Sequence, residues 1–277
     1  MALMDRISSI NGTNASTLGL AAYPDQDPNC VQRALECGIN YFFFYSPGSK
    51  LFIEALKPLN KEHRDEIILA SGSGSRTAGG LRVARRKIAT VAGVEVLDIF
   101  FAEYIHPGDK SASVFGKGGV LDELQKWKAD GLIRYVGASC HDRTLGKQLA
   151  EDPRVEILMH RFNMAHRKAA DEVFPAAIKS KTPVVAFTAT RWGTLLERHA
   201  DSTGEPPTAA DCYQYCLAHP AVQVVLTAPK SIQELEQNVR VVNLPPMTPE
   251  THSHWERFGD IIYERSGSTT DYESRWP

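Results

Sequence analysis

Short apolar runs alternate with amphipathic segments along almost the whole chain, and this alternation limits the possible folds more than any other feature. The runs are rich in β-branched and aromatic residues, which is typical of buried strands. The segments between them carry helix signals, such as Asp27-Pro28 at the start of one helix and Gly38 after its end. Eight strand–helix units without a change in composition predict one closed (β/α)8 TIM barrel, an α/β fold.

The predicted elements follow one another in a regular order. Strands are expected at residues 17–22, 39–45, 67–70, 96–104, 133–138, 155–160, 184–188 and 222–226. Helices are expected at residues 28–37, 49–59, 81–91, 120–130, 143–151, 169–181 and 209–217, and a further helix begins after Ser231. An open doubly wound sheet is the alternative, but the turn after the first strand reads AAYPDQDP and lacks the GxGxxG of that fold.

Two segments fall outside the repeat. Asn11-Gly12 lies between strand-prone pairs, which predicts an N-terminal hairpin in residues 1–16 that plugs the N-terminal end of the barrel. An extra C-terminal helix is expected at residues 250–264, followed by a polar tail, residues 266–277, that is mobile or lies over the barrel mouth. We therefore expect residues 1–277 to form a single domain.

The composition argues against several classes of partner. With 43% apolar residues and a formal net charge of −2, the chain is not expected to bind nucleic acid or an anionic membrane. The N-terminus lacks a signal-peptide core and no apolar run approaches the ~20 residues of a membrane span, so we expect a cytoplasmic protein.

Five scattered cysteines indicate reduced thiols. Cys212 and Cys216 are one helical turn apart, but no further ligand completes a set, so we predict a buried helix face and no metal site.

The stretch VQVVLTAPKSIQELEQN, residues 222–238, predicts a strand that leads directly into a helix N-terminus. Ser231 is the predicted N-cap, and Glu234 follows at the spacing of a capping box. Unpaired N–H groups and the helix dipole attract an anion there, and Lys230 adds a full positive charge. The alternative is an ordinary capped helix with a solvated lysine. A barrel favours the phosphate clamp, because such folds hold phosphate near strands seven and eight.

Several segments resemble those of the aldo-keto reductases in order and spacing. They are LGLAAY, GINYFFF, LDIFF, GLIRYVGAS, RFNMAHR, VVAFTATRWG and TAPKSIQELEQN. Members of that family reduce carbonyls with a nicotinamide cofactor and a tetrad of Asp, Tyr, Lys and His. At those four positions the resemblance places Phe43, Gly48, Gly72 and Glu103. Because Gly48 and Gly72 carry no proton donor, we expect any activity on simple aldehydes to be weak.

The resemblance also implies a set of cofactor contacts. Phe187 is implied to stack on the nicotinamide, and Ser139 to bond its carboxamide. A carboxylate at Glu234, beside the ribose, would repel a 2′-phosphate and tolerate a free hydroxyl, so the choice of NADP or NAD stays open. The implied cofactor-binding residues are Ser139, Phe187, Lys230, Ser231, Glu234 and Asn238.

Three side chains are candidates for the chemistry. Glu103, at the tip of strand four, can act as acid or base if burial raises its pKa, and the alternative is a salt bridge to Arg161. Tyr45 shares a strand face with Phe43 and can present its phenol to the mouth, or else it packs against the strand-two loop. His106 follows strand four and is either a proton donor or a solvated loop histidine.

Three functions are compatible with these residues. We rank first an atypical aldo-keto reductase-like oxidoreductase that binds a nicotinamide and a small-molecule substrate. The second is a non-redox lyase, dehydratase or cyclase on the same barrel that uses Glu103, and the third is a catalytically silent nucleotide-binding relative. The expected substrate pocket contains Phe43, Gly72 and Trp192. The sequence gives no prediction of the oligomeric state.

Overall fold

Eight parallel strands close into a barrel in the order in which they occur along the chain. The computed structural model describes residues 7–199 and 204–265, apart from the side chains of 264 and 265. The barrel closes where the first strand pairs with the last, with Leu18 opposite Val225 and Leu20 opposite Thr227. The predicted (β/α)8 barrel is confirmed, and the alternative of an open sheet is wrong.

The observed elements lie close to their predicted positions. The strands are β1 (Leu18–Ala21), β2 (Tyr41–Phe44), β3 (Ile68–Ser73), β4 (Leu97–Ile105), β5 (Ile133–Cys140), β6 (Ile157–Arg161), β7 (Val184–Phe187) and β8 (Val222–Thr227). The helices are α1 (Asn29–Glu36), α2 (Lys50–Glu62), α3 (Ala78–Ala92), α4 (Ser111–Val114), α5 (Val120–Ala129), α6 (Arg143–Glu151), α7 (Ala169–Glu172), α8 (Phe174–Ser180), α9 (Ala209–Leu217), α10 (Ile232–Val239) and α11 (Pro249–Arg265).

The helical part differs from the prediction in two places. The helix expected at residues 169–181 is divided into α7 and α8 at Val173, where Pro175 occupies the first turn of α8 and provides no N–H to continue α7. The short α4 lies in the loop after β4 and has no periodic pattern by which the sequence could predict it. Within the described ranges, no helix combines the length and the hydropathy that a membrane crossing requires.

The barrel interior is filled by alternate residues of the strands, because successive side chains of a strand point to opposite faces. On β4 these are Ile99 and Phe101, and on β2 they are Tyr41 and Phe43. The Phe43 and Phe101 rings meet edge to face, with centroids 6.1 Å apart. The other face of each strand packs against the helices and forms a second, larger apolar cluster.

The N-terminal segment covers the end of the barrel where the strands begin. Ser8 and Asn14 form an antiparallel bridge around the Asn11-Gly12 turn, and Ile7 is buried among the interior side chains. Arg134 ties the segment down by donating to the carbonyls of Ser8 and Ser9. The predicted hairpin is therefore present as a single bridge in the described residues, while residues 1–6 of the prediction lie outside them.

The extra C-terminal helix lies against the opposite end of the barrel. Phe258 and Ile262 of α11 are buried in the outer apolar cluster. Asp260 accepts an ion pair from Arg167, in the loop after β6, at 2.7 Å. The predicted extra C-terminal helix is therefore confirmed, and it packs beside the mouth of the barrel. The predicted tail, residues 266–277, lies outside the described residues.

A buried aspartate links the N-terminal segment to three strands. Asp98 on β4 is fully buried, and its carboxylate accepts from the Leu69 N–H on β3 at 2.8 Å. Arg64 and Arg134 each donate to the same carboxylate at 2.8 Å. Charge-assisted bonds to two guanidinium groups satisfy a charge that would otherwise be costly to bury.

Replacing this carboxylate should destabilise the barrel strongly. We expect Asp98→Asn to lower the free energy of unfolding by about 3 kcal/mol, because it leaves two partly buried guanidinium groups without their counter-charge. Urea unfolding followed by circular dichroism measures the change. Asp130→Asn, at the exposed end of α5, is the control and should change stability little. Equal stability of the two variants would contradict the role assigned to Asp98.

Candidate active site

A buried glutamate lies at the mouth of the barrel. Glu103 continues the inward face of β4 that Ile99 and Phe101 begin, and it is only 2% exposed. Its Oε1 atom has no hydrogen-bond partner among the described residues. Burial raises the pKa of this carboxyl well above its ordinary value of 4.5, and Arg76 opposes the shift. Glu103 therefore tends to hold a proton under conditions in which an exposed glutamate is ionised.

Gly72, on the neighbouring strand β3, provides the space for this side chain. A Cβ atom at Gly72 would lie 2.7 Å from Glu103 Cγ and would collide with the carbonyl oxygen of Phe101. A lysine cannot occupy this position unless the backbone of β3 or β4 shifts. Gly72 and Glu103 therefore belong to one packing arrangement.

Arg76, in the loop after β3, fixes the backbone on which Glu103 lies. Its guanidinium donates to the carbonyl oxygens of Glu103 at 2.9 Å and Tyr104 at 2.7 Å. It also pairs with Asp109 at 2.8 Å, and the Asp109 carboxylate accepts from the His106 N–H. One side chain thus holds both ends of the turn after β4. Sequence reasoning missed Arg76, because its partners lie about thirty residues away along the chain.

Tyr104 links Glu103 to the next strand. Its backbone has a φ of 53°, which is unfavourable for an aromatic residue and coincides with a break in the β4–β5 register. Its N–H donates to Ser139 Oγ at 2.8 Å. Strained backbone of this kind clusters at functional sites. The predicted carboxamide contact, Ser139, therefore lies directly across from the turn that carries Glu103.

Aromatic contacts continue from Tyr104 to β7. The His141 ring meets Tyr104 edge to face at 5.5 Å and meets Phe187 at 4.9 Å. Burial and the nearby Arg161 lower the pKa of His141 to about 3, so its imidazole is neutral. The structure thus brings Glu103, Ser139 and Phe187 close together on the rim, which is the ring of strand ends at the mouth of the barrel.

The remaining chemical candidates contribute less to this rim. His106 uses its Nδ1 atom to accept from the Gly108 N–H at 3.0 Å, which is a turn-forming contact, and its ring stacks on Tyr104. Tyr45 follows β2 and is 41% exposed, so its phenol is accessible to solvent. Phe43 is buried against Phe101, and Trp192 is partly exposed with a φ of 55°. The alternative of a salt bridge between Glu103 and Arg161 stays a prediction, while burial raises the pKa of Glu103 and the charge of Arg76 lowers it.

At the start of α10, where the sequence predicted a phosphate site, a carboxylate of the chain itself accepts a backbone hydrogen bond. Ser231 caps the helix by accepting from the Glu234 N–H, as the sequence predicted. The Glu234 carboxylate, however, accepts from the Lys230 N–H at 2.8 Å instead of completing a capping box with Ser231. The Lys230 ammonium lies 5.7 Å from the centre of the Tyr23 ring. A phosphate at this helix end would compete with Glu234.

Asn238 forms a structural hydrogen bond between α10 and the end of β8. Its side-chain amide donates to Thr227 Oγ1 at 3.0 Å, and Tyr213 bonds the same hydroxyl at 2.9 Å. These contacts hold the end of β8 against α9 and α10. Among residues 7–199 and 204–265, no group of three or more His, Cys, Asp and Glu side chains is placed to hold a metal ion.

Comparisons with known proteins identify the family and the fold of this chain. A sequence profile of the aldo/keto reductase family matches residues 10–208. A curated relative, the uncharacterized oxidoreductase YqkF of Bacillus subtilis (strain 168), is 22% identical over 284 aligned residues, which cover 87% of this chain and 90% of the relative.

Solved structures give the same result for the fold. The holo form of the aldo-keto reductase AKR11C1 from Bacillus halodurans superposes with a TM-score of 0.75 at 20% identity, over 92% of this chain and 96% of that one. Its apo form gives a TM-score of 0.71 at 19% identity, over 91% and 95% of the two chains. The barrel fold and the family match together define an oxidoreductase. The chain belongs to the aldo/keto reductase family.

The burial of Glu103 predicts how stability depends on pH. Because its folded-state pKa lies above 4.5, the folded protein keeps a proton that the unfolded chain releases between pH 4.5 and the raised pKa. The contribution of Glu103 to stability therefore falls as the pH rises through that interval. We expect Glu103→Gln to stabilise the protein relative to the wild type more at about pH 8 than at about pH 5, because the amide has no proton to lose.

Urea unfolding of the wild type and the variant at both pH values measures this difference. Glu151→Gln, at the exposed end of α6, is the matched control and should show no such trend. If the stability difference between wild type and Glu103→Gln does not change with pH, Glu103 is not a buried, protonated carboxyl.

Proposed function

We propose that this chain is an oxidoreductase that binds a nicotinamide dinucleotide at the barrel mouth and uses Glu103 as proton donor to a small carbonyl substrate. The observation that carries the proposal is the Glu103 carboxyl, which is buried, has no partner at Oε1 and has a raised pKa. Its position at the inner edge of the rim corresponds to that of the histidine in the family's tetrad. Tyr45 and His106, the other predicted donors, lack this combination of burial and a raised pKa.

The residues at the nicotinamide end suit the ring and its carboxamide. Ser139 Oγ accepts from Tyr104, and in the described structure its own proton has no acceptor, so it can donate to a carboxamide oxygen. Phe187 is partly exposed, and His141 contacts it edge to face, which leaves a flat face for stacking. A bound reduced nicotinamide supplies the hydride that carbonyl reduction requires.

In the proposed reaction, Glu103 donates the proton to the carbonyl oxygen of the substrate. A neutral carboxyl donates a hydrogen bond to the carbonyl oxygen and transfers its proton as negative charge develops there. The resulting carboxylate is favoured by the positive charge of Arg76, which lowers the pKa of Glu103. The bonds from Arg76 to the Glu103 and Tyr104 carbonyls hold this segment in place while the proton moves.

The phosphate end favours NAD over NADP. Lys230, Ser231, Glu234 and Asn238 lie at or on α10, where the family places the pyrophosphate and the adenosine. The Glu234 carboxylate must leave the Lys230 N–H before a phosphate can bind there. A second phosphate on the ribose would add repulsion from the same carboxylate.

A non-redox enzyme on the same barrel is the second candidate. The Glu234–Lys230 contact favours it, because an anion site that the chain satisfies internally does not require a cofactor. In that case Glu103 moves protons in a lyase, dehydratase or cyclase reaction, beside the apolar wall that contains Phe43 and Phe101. A catalytically silent nucleotide-binding relative is the remaining possibility from the sequence.

Cofactor binding separates these functions. We expect saturable quenching of tryptophan fluorescence by NADH and weaker quenching by NADPH. Glu234→Gln should tighten NADPH binding about tenfold, since it removes the competing carboxylate, and Lys230→Ala should weaken both ligands. Glu236→Gln, on the same helix but paired with Arg33, is the matched control and should bind like the wild type. If neither dinucleotide binds, the oxidoreductase proposal fails and the non-redox candidate stands.

The pH dependence of turnover tests Glu103. Because the donor is the protonated carboxyl, the rate of carbonyl reduction should fall as the pH rises through its raised pKa. Glu103→Gln should reduce the rate by about a hundredfold and remove this pH dependence, since an amide can bond the oxygen but not protonate it. Steady-state rates on a panel of aldehydes and ketones measure both effects, with Glu151→Gln as control. An unchanged pH profile in the Gln variant would assign the proton to another group.

A further inference from the structure

A cavity of about 490 Å³ lies on the β5 and β6 side of the barrel mouth. Its walls are the start of α6, the loop after β6 together with α7, and α11. The volume is typical of a small-molecule site. None of the cofactor-binding residues implied by the family resemblance is among the described side chains that line it. The cavity is therefore separate from the phosphate end at β8.

The loop after β6, which forms the inner wall of the cavity, is held on two sides. The Asn163 side chain accepts from the His166 N–H at 2.8 Å and donates to the Thr188 carbonyl at 2.9 Å, just after β7. On the other side α11 packs against the loop backbone, because a Cβ atom at Gly259 would collide with the carbonyl oxygen of Met164. The position of His166 is thus fixed before any ligand binds.

The imidazole of His166 is buried beside the cavity and left unsatisfied. It is 8% exposed, and neither ring nitrogen has a hydrogen-bond partner among the described residues. Its ring meets Tyr263 of α11 edge to face at 5.5 Å, which fixes its orientation. Because buried polar groups are nearly always hydrogen-bonded, two open nitrogens at a cavity wall point to a ligand.

The charges around the cavity balance. Four of the described side chains that line it are carboxylates, namely Asp142, Asp171, Glu172 and Asp260. Four others are cations, namely Arg143, Arg161, Arg167 and Lys168. Beyond the lining, Arg191 acts on His166 and Glu256 pairs with Arg167, which adds one charge of each sign.

The histidines of the cavity do not disturb this balance. Burial is the main cause that lowers the pKa to about 3 for His141 and His166 and to about 4 for His160, so all three are neutral near pH 7. An ion that enters the cavity would lose hydration without meeting a net counter-charge. The lining therefore favours an uncharged ligand that forms many hydrogen bonds.

We propose that this cavity binds an uncharged polyhydroxylated molecule, such as a sugar alcohol, and that His166 bonds one of its hydroxyl groups. A neutral imidazole has one donor and one acceptor nitrogen, and a hydroxyl group suits either, since it both donates and accepts. Further hydroxyl groups can donate to the carboxylates of the wall and accept from its guanidinium groups, which keep spare donors and acceptors within their ion pairs. The site requires no nicotinamide, so it stands independently of the proposed function.

Three probes of similar size test the preference for an uncharged ligand in the wild-type protein without cofactor. They are sorbitol, which is uncharged, gluconate, which is an anion, and N-methylglucamine, which is a cation. In separate calorimetric titrations we expect sorbitol to bind at one site per chain with a Kd of about 10 mM or lower, and each charged probe to bind at least about tenfold more weakly. Absence of saturable sorbitol binding, or tighter binding of either ion, would overturn the proposal.

Variants of His166 test the hydrogen bond. His166→Phe keeps an aromatic ring against Tyr263 but has no polar atom, so it should weaken sorbitol binding at least about tenfold. His166→Gln keeps a donor and an acceptor and should bind sorbitol more tightly than His166→Phe. His254→Phe, at an exposed position of α11, is the matched control and should bind like the wild type. Unchanged affinity in His166→Phe would contradict the role of His166.

A second measurement does not require a folded variant. In wild-type protein with ¹³C-labelled histidines, sorbitol should shift one buried imidazole signal saturably and leave the signal of the exposed His254 in place. If no buried histidine signal moves as sorbitol is added, the proposal is wrong.

Discussion

The packing of Phe101 against two glycines determines the shape of the barrel mouth. A Cβ atom at Gly137 on β5 would lie 2.6 Å from Phe101 Cε1, and one at Gly72 on β3 would lie 2.9 Å from Phe101 Cβ. Neither neighbour of β4 can therefore carry a side chain at this level. Because inward residues alternate, the next inward position on β4 is Glu103, which comes to lie over Gly72. The aromatic core and the buried acid thus belong to a single arrangement.

This arrangement also explains why the turn after β4 needs external support. A buried carboxyl without a partner at Oε1 and a Tyr104 backbone with a positive φ each cost stability. Arg76 offsets part of that cost, since it bonds two carbonyls and Asp109 at once. The neutral form of Glu103 is maintained by burial, while its backbone is fixed by Arg76. Arg76 thus fixes the position of Glu103 and, through its charge, also favours the carboxylate that remains after the proton is released.

The sequence predicted what depends on neighbouring residues along the chain. The period of the apolar runs predicted all eight strands, and the predicted cap at Ser231 is confirmed in the structure. It could not predict Arg76, or the open nitrogens of His166, because those features depend on contacts between distant segments. For Glu234 the sequence predicted the position in the helix but not the hydrogen-bond partner. Its spacing from Ser231 predicted a capping box, but its carboxylate bonds the Lys230 N–H, which only the geometry of the turn decides.

The distribution of charge around the rim follows from these details. At β8 the helix N-terminus that would attract an anion is satisfied by Glu234, so the chain lowers its own affinity there. At β5 and β6, burial and the charges of Arg161 and Arg191 lower the pKa of His166, while Glu172 pairs with Arg143 and Asp260 with Arg167. His141 joins the two regions, because it lines the cavity and contacts Phe187. His141 therefore connects the cavity to the ring against which the nicotinamide is proposed to stack.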